Sequence, residues 1–547
     1  MPLAESVALV LGRAMTAAQV GRVEDAFEHL RTADEIVPEG ASEERAALLG
    51  VRAFASLMRG DRDAVARQAE QCVATARSVD CPGWESFALT TRVESRVPSV
   101  NDAGVLEDLL AAENALKRTT DPRLRSWAHT GLGLAYCAQR LFELALPHQE
   151  AALDAPQDPF GLRETRTIPL YNLALTHLWW ADELAQLAVP EQGGDVDTHR
   201  VIAAALAAEA VAVARRDRAE PYFVLLSEML HLSAGWDDDP AAAREPLQRA
   251  LQQHVALGLP EGWSPHAARL AEVLDALGEP EEAREVAARA VAALPADGEP
   301  QTEAYVRHTA LRLAAAGGDA SAESGLQYAR VIARSWWSQR ISRFESMKRA
   351  LTADEMRRRH DHEHRAARED PLTRVGNLRA YDEVLAGLRA ARETDPGDVA
   401  MIVLDVDHFK QVNDRFGHIS GDETLRAVAD VVLAQTRGID LVSRVGGDEF
   451  VVVLSGTDRT DCDHVADRLL KAVATIARES TSPHLRELSV SLGTASTSEG
   501  IDLEDLRDAA DRRMYAAKHL GRGASTPLDV VTGAGRGSTV TERRTGT

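Results

Sequence analysis

The sequence contains few aromatic residues. Phe, Trp and Tyr make up 5% of its 547 residues, whereas alanine recurs throughout. This composition favours closely packed helices over β-sandwiches. Because 45% of the residues are hydrophobic, the chain can still build sizeable cores. A chain of this length predicts about three domains, or one repeat array followed by one further domain.

Cysteines and long apolar runs are also scarce. The four cysteines form no C-x-x-C pair and lie near no histidine pair with zinc-ligand spacing. We therefore expect buried thiols in a reducing compartment. No apolar run reaches the length of about 18 residues that spans a membrane. The first residues lack the basic start and apolar stretch of a signal peptide. These absences predict a cytoplasmic protein with no membrane partner.

Positive charge is in deficit along the chain. Lys and Arg number 62 against 85 Asp and Glu, which gives a net charge of −23. Nucleic acids and anionic membrane surfaces repel so acidic a chain, so we expect no nucleic-acid partner. A local basic cluster or a metal ion could still bind a nucleotide.

Residues 1–335 carry apolar residues at three- and four-residue spacing, which predicts an almost wholly helical region. Small residues recur in phase after Gly21 and again after Gly278, where they would let paired helices approach closely. The pattern resembles tetratricopeptide repeats, and a non-repetitive helical bundle is the alternative. No catalytic constellation is visible here. We therefore predict a sensory or interaction domain that binds an unknown protein or peptide.

Residues 336–369 predict one long linker helix. Trp337, Phe344 and Leu351 lie at heptad-like spacing, so this seam could pair with a second copy as a coiled coil. A solvated connector is the alternative. His360 and His364 share one helix face, a spacing that zinc can bridge, but charged linker histidines are more often solvated.

Strand and helix patterns alternate over residues 370–525. Strands are expected at 399–406, 441–445, 450–454 and 488–495, and helices at 422–435, 462–477 and 503–519. The segment between the second and third strands predicts a hairpin. The fold class is thus an α+β domain with a central, mainly antiparallel sheet, following the helical-repeat region and the linker helix. Residues 526–547 are rich in Gly, Ser and Thr and predict a disordered tail.

Acidic residues follow two of these strands. Asp405 ends the first strand, and Asp448 lies in the hairpin Gly446-Gly447-Asp448-Glu449-Phe450. Neighbouring strands can bring these carboxylates together, where they would repel each other unless a cation lies between them. Hard oxygen ligands completed by substrate phosphates suit Mg²⁺.

Basic residues supply the complementary charge. Lys410 follows the acidic strand, and Lys518 and Arg522 lie four apart near the end of the last helix. Acids that hold a metal and bases that hold oxyanions are what a nucleoside triphosphate site needs. The sequence contains no Walker-type phosphate loop.

These motifs resemble those of GGDEF-domain diguanylate cyclases, over about 155 residues. The hairpin is the family's signature, and four other segments agree in order. They are Asp370-Pro-Leu-Thr, residues 405–418 with Gly421-Asp422, Ser489 to Ala495 as the family's fifth strand, and Lys518 with Arg522. Two departures concern loops: Arg374 and Leu378 replace the family's glycine and first arginine, and Gly523 replaces an asparagine.

The resemblance implies roles for individual residues. Asp405 and Asp448 would hold Mg²⁺ (Mn²⁺ is possible) with the Val406 carbonyl, and Glu449 would lie beside them. Asn413 and Asp422 would read the guanine edge. The predicted contacts to the substrate's phosphates are Lys410, Lys518, Arg522 and the backbone around His408 and Phe409. The hairpin glycines Gly446 and Gly447 would let the substrate approach the backbone.

The implied reaction condenses two GTP into cyclic di-GMP and two pyrophosphates, with each 3′-hydroxyl attacking the other nucleotide's α-phosphate. Since one domain holds one GTP, catalysis requires a homodimer. The family's R-x-x-D spacing at Arg437 and Asp440 implies a site where the product inhibits, with Arg444 assisting; an ordinary surface ion pair is the alternative.

The sequence is also compatible with other functions. A catalytically silent receptor for GTP or cyclic di-GMP is the second hypothesis, and the intact hairpin with Asp405, Asn413 and Asp422 disfavours it. A pure scaffold would fit residues 1–335 alone. No Glu-Ala-Leu-type phosphodiesterase motif is visible, so we expect synthesis of the messenger and not its degradation.

Overall fold

The computed structural model describes residues 3–96, 103–154, 159–160, 166–187, 193–257, 263–295, 300–391 and 397–520. The chain divides into two compact units, 1–352 and 353–547. We call the first the helical unit and describe each by itself. The predicted tail at 526–547 lies outside the described residues. No helix in the described ranges is long and apolar enough to cross a membrane.

The helical unit is built from consecutive helices that pack in pairs, α1 with α2, α3 with α4 and so on to α13 with α14. The first helices of successive pairs also contact one another. This stacking of hairpins fits the predicted helical repeats. The helices are α1 Leu3–Gln19, α2 Val23–Ile36, α3 Glu43–Arg59, α4 Arg62–Ser78, α5 Pro82–Glu94, α6 Ala103–Arg118, α7 Pro122–Ala138, α8 Phe142–Asp154, α9 Thr167–Leu187, α10 Gly193–Asp217, α11 Pro221–Ala234, α12 Pro240–Ala256, α13 Trp263–Ala276, α14 Pro280–Ala292 and α15 Pro300–Ala316.

Local signals in the sequence explain where these helices begin and end. Asp61 accepts a hydrogen bond from the Ala64 amide and so caps α4. Gly60 ends α3 in the left-handed conformation (φ 79°), which glycine adopts without a steric penalty. Gly131 of α7 lies so close to α5 that a Cβ there would meet Thr90 Oγ1 at 2.4 Å. Small residues therefore set the close approach of neighbouring hairpins, as predicted.

Helices α1 and α11 of this array meet. Val20, at the end of α1, shares one buried cluster with Ala214, Ala219 and Phe223. Arg22 and Glu220 form an ion pair across the same contact, with 3.6 Å between the charged atoms. The stacked hairpins from α1 to α11 therefore curve until α11 reaches α1.

A buried ionic network joins the later hairpins. Arg269 of α13, which is 1% exposed, donates to both carboxylate oxygens of Asp182 at 2.7 and 2.8 Å. It also donates to Glu272 at 2.7 Å, and the Tyr305 hydroxyl donates to the same carboxylate. These bonds pair both terminal nitrogens of a guanidinium that is fully removed from water.

Helix α16 (Ala320–Arg368) is one continuous helix of 49 residues, so it begins well before the predicted linker at 336. Its apolar seam is covered by the helical unit's own core, against which Phe344, Met347 and Leu351 pack. The fully buried Arg340 donates to Glu143 at 2.6 Å. Phe344 and Leu351, which were predicted to face a second copy, therefore pack within the chain.

The second unit contains a four-stranded antiparallel sheet, which confirms the predicted α+β class. Its strands are β1 Val399–Val406, β2 Leu441–Arg444, β3 Glu449–Ser455 and β4 Val490–Ser496, in the order β2-β3-β1-β4. Residues 490–496 are thus the fourth described strand and not a fifth. The helices are α17 Leu378–Ala391, α18 Phe409–Phe416, α19 His418–Gln435, α20 Arg459–Glu479, α21 Pro483–Arg486 and α22 Leu506–Leu520.

Helices cover both faces of this sheet. Ala400, Ile402 and Leu404 point toward α19 and α20, whereas Met401 and Val403 share a core with α22. Because successive side chains of a strand alternate between faces, Asp405 points to the α22 face. The four cysteines are buried, as expected, and burial raises the pKa of Cys81 to about 11 and that of Cys462 to about 12.

Candidate functional site

Three carboxylates gather where β1 and β3 meet the hairpin. In the antiparallel register, Asp405 of β1 lies directly opposite Glu449 of β3. The Val406 amide donates to the Asp448 carbonyl at 3.1 Å, which fixes the hairpin tip against the end of β1. Asp405 is 7% exposed, and Asp448 and Glu449 are partly exposed. The structure thus brings together the acids that the sequence predicted to meet.

The two glycines of the hairpin differ in their surroundings. A Cβ on Gly446 would meet the Glu449 side chain at 3.1 to 3.2 Å, whereas one on Gly447 would meet nothing within 4 Å. Gly446 therefore lets the turn close over Glu449. The exposed backbone of Gly447 leaves room beside the acids for a ligand to approach.

Lys518 provides the positive charge at this site. Its Nζ lies 2.6 Å from Asp405 Oδ1, so α22 brings a base to the acidic end of the sheet. Burial raises the pKa of the Asp405 carboxyl, Lys518 counteracts this, and the negative charges of Asp448 and Glu449 raise it further. The carboxylates repel one another, and a cation between them relieves that repulsion.

Arg444 holds the hairpin in place. Its Nε and Nη2 donate to the Gly447 carbonyl at 3.1 and 2.7 Å, and its Nη1 donates to Asp370 at 3.1 Å. The guanidinium therefore joins the hairpin to the turn that follows α16. That Arg444 also assists Arg437 and Asp440 stays a prediction.

The residues predicted to contact guanine lie where α18 and α19 cross. A Cβ on Gly421 would meet Asn413 Oδ1 at 1.9 Å, so the absent side chain lets Asn413 of α18 lie against α19. Asp422 follows directly in the chain. The structure thus places these two predicted residues side by side.

Helix α18 begins next to the acids. His408 precedes it in the left-handed conformation (φ 58°), and Phe409 is its first residue. The first N–H groups of a helix have no partner inside the helix, which makes its start suitable for phosphate oxygens. Lys410 is exposed in this first turn. Arg522, the other predicted phosphate contact, lies outside the described residues.

The family description "Diguanylate cyclase, GGDEF domain" matches residues 367–524 of the chain. This segment belongs to the GGDEF family. The match begins at the last turn of α16 and includes the sheet, the acids, the hairpin and α22.

The GGDEF domain has named relatives. It is 37% identical over 153 residues to the diguanylate cyclase DgcS of Shewanella oneidensis, which covers 28% of this chain and 50% of that protein. It is 37% identical over 184 residues to the response regulator PleD of Caulobacter vibrioides, which covers 32% of this chain and 40% of that protein. The chain thus spans half or less of the length of these curated relatives.

A solved structure is also similar. The coiled coil and GGDEF domain of DgcB from Caulobacter crescentus, crystallised with c-di-GMP, is 28% identical to this chain. The match covers 33% of this chain and 96% of that one, with a TM-score of 0.30.

The donor set of the GGDEF domain fits Mg²⁺. Mg²⁺ takes one or two carboxylates and is completed by substrate phosphates and water. Asp405 and Asp448, with the Val406 carbonyl, offer such hard oxygen ligands. Among the residues that the structure describes, no three His, Cys, Asp or Glu side chains form a ready metal cluster. His360 and His364, whose ring centroids lie 6.0 Å apart, are therefore not part of such a cluster within the described residues.

Arg437 and Asp440 form a turn after α19. The Arg437 amide donates to Asp440 Oδ2 at 2.8 Å, and the Arg437 side chain is exposed. Within the described residues, Asp440 Oδ1 is shielded from water and has no hydrogen-bond partner. The structure therefore brings these two predicted residues together, but without Arg444.

Sequence reasoning missed two supporting acids. Asp407, 3% exposed, accepts hydrogen bonds from the hydroxyls of Ser489 and Ser491 at 2.7 and 2.8 Å, which ties the loop after β1 to β4. Asp370 accepts from Thr373 as well as from Arg444. Asp407, two residues after Asp405, and the Asp-Pro-Leu-Thr turn were the available signals, but neither identifies the distant partners.

Proposed function

We propose that this protein is a diguanylate cyclase that condenses two GTP into cyclic di-GMP and two pyrophosphates. The observation that carries the proposal is the cluster of Asp405, Asp448 and Glu449 with Lys518 at one end of the GGDEF sheet. Named relatives of the same segment are diguanylate cyclases, which supports the same activity.

The acids would hold the metal and the bases the phosphates. Asp405, Asp448 and the Val406 carbonyl would bind Mg²⁺. When bound there, Mg²⁺ would neutralise phosphate charge and lower the pKa of the attacking 3′-hydroxyl. Lys518 would move from Asp405 to the triphosphate, because the metal would then neutralise that carboxylate. Lys410 and the start of α18 would bind further phosphate oxygens.

Guanine recognition would fall to Asn413 and Asp422. A carboxylate accepts hydrogen bonds from guanine N1–H and N2–H, whereas adenine has no N1–H to donate. The close crossing of α18 and α19 at Gly421 would hold both side chains on one edge of the base. This arrangement would select GTP over ATP.

Catalysis would require two copies of the chain. One GGDEF domain would position one GTP, and the product joins two nucleotides symmetrically, so two domains must face each other. Product bound at Arg437 and Asp440 would inhibit the enzyme, with the shielded Asp440 Oδ1 accepting from guanine. The helical unit would control how often two domains meet.

The test is to incubate the full chain with GTP and Mg²⁺ and to separate the nucleotides by chromatography. Asp448→Ala should reduce cyclic di-GMP formation by at least about a thousandfold, since it removes a metal ligand. Asp430→Ala removes an exposed acid of α19 and is the matched control, which should keep full activity. Equal activity in Asp448→Ala and the control would contradict the proposal.

A silent receptor is the second candidate, and the same protein separates it from the enzyme. After removal of any bound nucleotide, binding of a fluorescent GTP analogue is measured for wild type and for Asp422→Ala. Binding that depends on Asp422 without any turnover would favour the receptor. Absence of both binding and turnover would exclude both functions.

A further inference from the structure

A cavity of about 210 Å³ lies in the helical unit, among the first helices of six successive pairs. The helices α1, α3, α5, α7, α9 and α11 each contribute to its wall. We call it the central cavity. It exists because α11 returns to contact α1, so that the inner helices surround one space. Its volume is sufficient for a small organic molecule.

The wall of the central cavity is mainly aromatic and apolar. Phe54, Phe87 and Trp127 form a continuous group in which neighbouring ring centroids are 6.3 and 5.3 Å apart. Phe223 adds a fourth ring from α11, and Met15 and Met58 add flexible side chains. This set concentrates aromatic residues that are rare in the chain as a whole. Such walls bind planar or apolar ligands through their faces.

Polar side chains also line the cavity, namely Gln19, Glu94, Ser126, Thr130, Tyr171 and Asn172. One of their atoms stands out because it is buried. The side-chain oxygen of Gln19 is shielded from solvent and, within the described residues, has no hydrogen-bond partner. Gln19 lines the cavity at the end of α1. A buried acceptor without a partner is unfavourable by about 1–3 kcal/mol, and a ligand that donates a hydrogen bond would remove that penalty.

The charges of the wall exclude one class of ligand. None of the residues lining the central cavity is Lys, Arg or His. An anion would therefore lose its hydration without gaining a positive partner. The cavity thus suits a ligand without negative charge.

We propose that the central cavity binds a neutral, aromatic small molecule that donates one hydrogen bond to Gln19. The rings of Phe54, Phe87 and Trp127 hold its apolar body. The helical unit is then a small-molecule sensor, in addition to any protein partner its surface binds. This proposal concerns ligand binding alone, so it can fail or succeed independently of GTP turnover.

The probe for the test is N-phenyl-1-naphthylamine, which is neutral and aromatic, has one N–H group and fluoresces in apolar surroundings. We expect it to bind the full chain with one site per protomer and to accept energy from Trp127. The comparison probe 1-phenylnaphthalene lacks the N–H, and 8-anilino-1-naphthalenesulfonate carries a negative charge. Both should bind at least about tenfold more weakly.

Two variants assign the site. Leu226→Trp fills the cavity from α11 and should weaken probe binding at least tenfold, whereas Leu9→Trp, at an exposed position of α1, should not. Gln19→Leu should weaken binding of N-phenyl-1-naphthylamine about fivefold to tenfold and leave 1-phenylnaphthalene unchanged. Gln252→Leu, an exposed glutamine of α12, is its control.

The outcomes that overturn the proposal are specific. Probe binding that is the same in Leu226→Trp and Leu9→Trp would place the probe elsewhere. Equal binding of the sulfonate would show that the cavity does not reject anions. If Leu226→Trp fails to fold, Thr130→Leu fills the opposite wall with a smaller change and decides the same question.

Discussion

The two units of the chain use charged residues in opposite ways. In the helical unit, Arg269 is fully buried, its terminal nitrogens donate to Asp182 and Glu272, and its guanidinium lies over the Tyr305 ring. In the GGDEF domain, Asp405, Asp448 and Glu449 repel one another around a single lysine. Charges that are matched inside the protein fix its architecture, whereas charges that repel are available to a ligand.

Tryptophan makes this comparison measurable. All eight tryptophans fall between residues 84 and 337, so tryptophan fluorescence follows the helical unit and not the GGDEF domain. Far-UV circular dichroism follows both. A variant that destabilises one unit can therefore be distinguished from one that destabilises the other.

The largest effect is expected from Arg269→Met in the helical unit. It leaves the carboxylates of Asp182 and Glu272 buried without their cation, and we expect a loss of about 3–5 kcal/mol in the free energy of unfolding. Urea titration followed by tryptophan fluorescence measures this loss. Arg312→Met removes a half-exposed partner of the same network and should cost less than about 1 kcal/mol. Equal losses in both variants would show that the network is not held by Arg269.

A smaller loss, confined to the other unit, is expected from Gly493→Ala. A Cβ there would meet the backbone of α22 at Ala510 and Met514 within 2.1 to 2.3 Å, so α22 must shift away from β4. We expect about 2–4 kcal/mol of destabilisation in the GGDEF domain, comparable with other overpacked cores.

For Gly493→Ala, far-UV circular dichroism should show that the GGDEF domain unfolds at lower urea concentration. The unfolding transition followed by tryptophan fluorescence should stay unchanged. Gly387→Ala is the control, because a Cβ on this α17 residue would meet nothing within 4 Å. A shift of the tryptophan phase in Gly493→Ala would contradict the independence of the two units.

The smallest loss of stability for each group is expected when the pH is lowered. Burial lowers the pKa of His266 to about 3 and those of His129 and His177 to about 4, against 6.5 for exposed histidine. Below pH 6.5 the unfolded chain therefore binds protons that the folded helical unit does not, and its stability falls as pH drops from 6.5 toward 4. At pH 5 each histidine costs at most about 2 kcal/mol.

Thermal unfolding at pH 7.5 and pH 5, followed by tryptophan fluorescence, measures this loss. His266→Gln, which keeps a hydrogen bond to Ser233 within reach, should reduce the dependence on pH. A melting temperature of the helical unit that is the same at both pH values would contradict the prediction.

The sequence predicted the GGDEF domain in detail because its signals are local. The strand at 399–406 was predicted from a short apolar run that ends in acids, and the hairpin around Gly446 from its turn residues; the structure has both. The role of Arg444 was missed because its partner Asp370 lies 74 positions earlier in the chain. No local sequence pattern indicates a contact between residues so far apart in the chain.

In the helical unit, the helix pairs could be predicted from the sequence, but the way in which they come together could not. Small residues after Gly21 and Gly278 predicted close helix pairs, but the return of α11 to α1 depends on the summed rotation of five hairpins. The central cavity was therefore not predictable. The seam at Phe344 and Leu351 was recognised, but the apolar core of the helical unit that it packs against could not be identified from spacing alone.

The hydrogen bonds around Arg444 determine where a chimeric protein can place its junction. The Asn377 side chain donates to the carbonyls of Ala367 and Glu369, and Gly376 pairs with both Glu369 and Ser443. The last turn of α16 is therefore joined to the GGDEF domain, although the sequence predicted it as part of the linker helix. A chimera that exchanges sensory units should place its junction upstream of Ala367, since a junction at Asp370 would separate the hairpin from the residues that fix it.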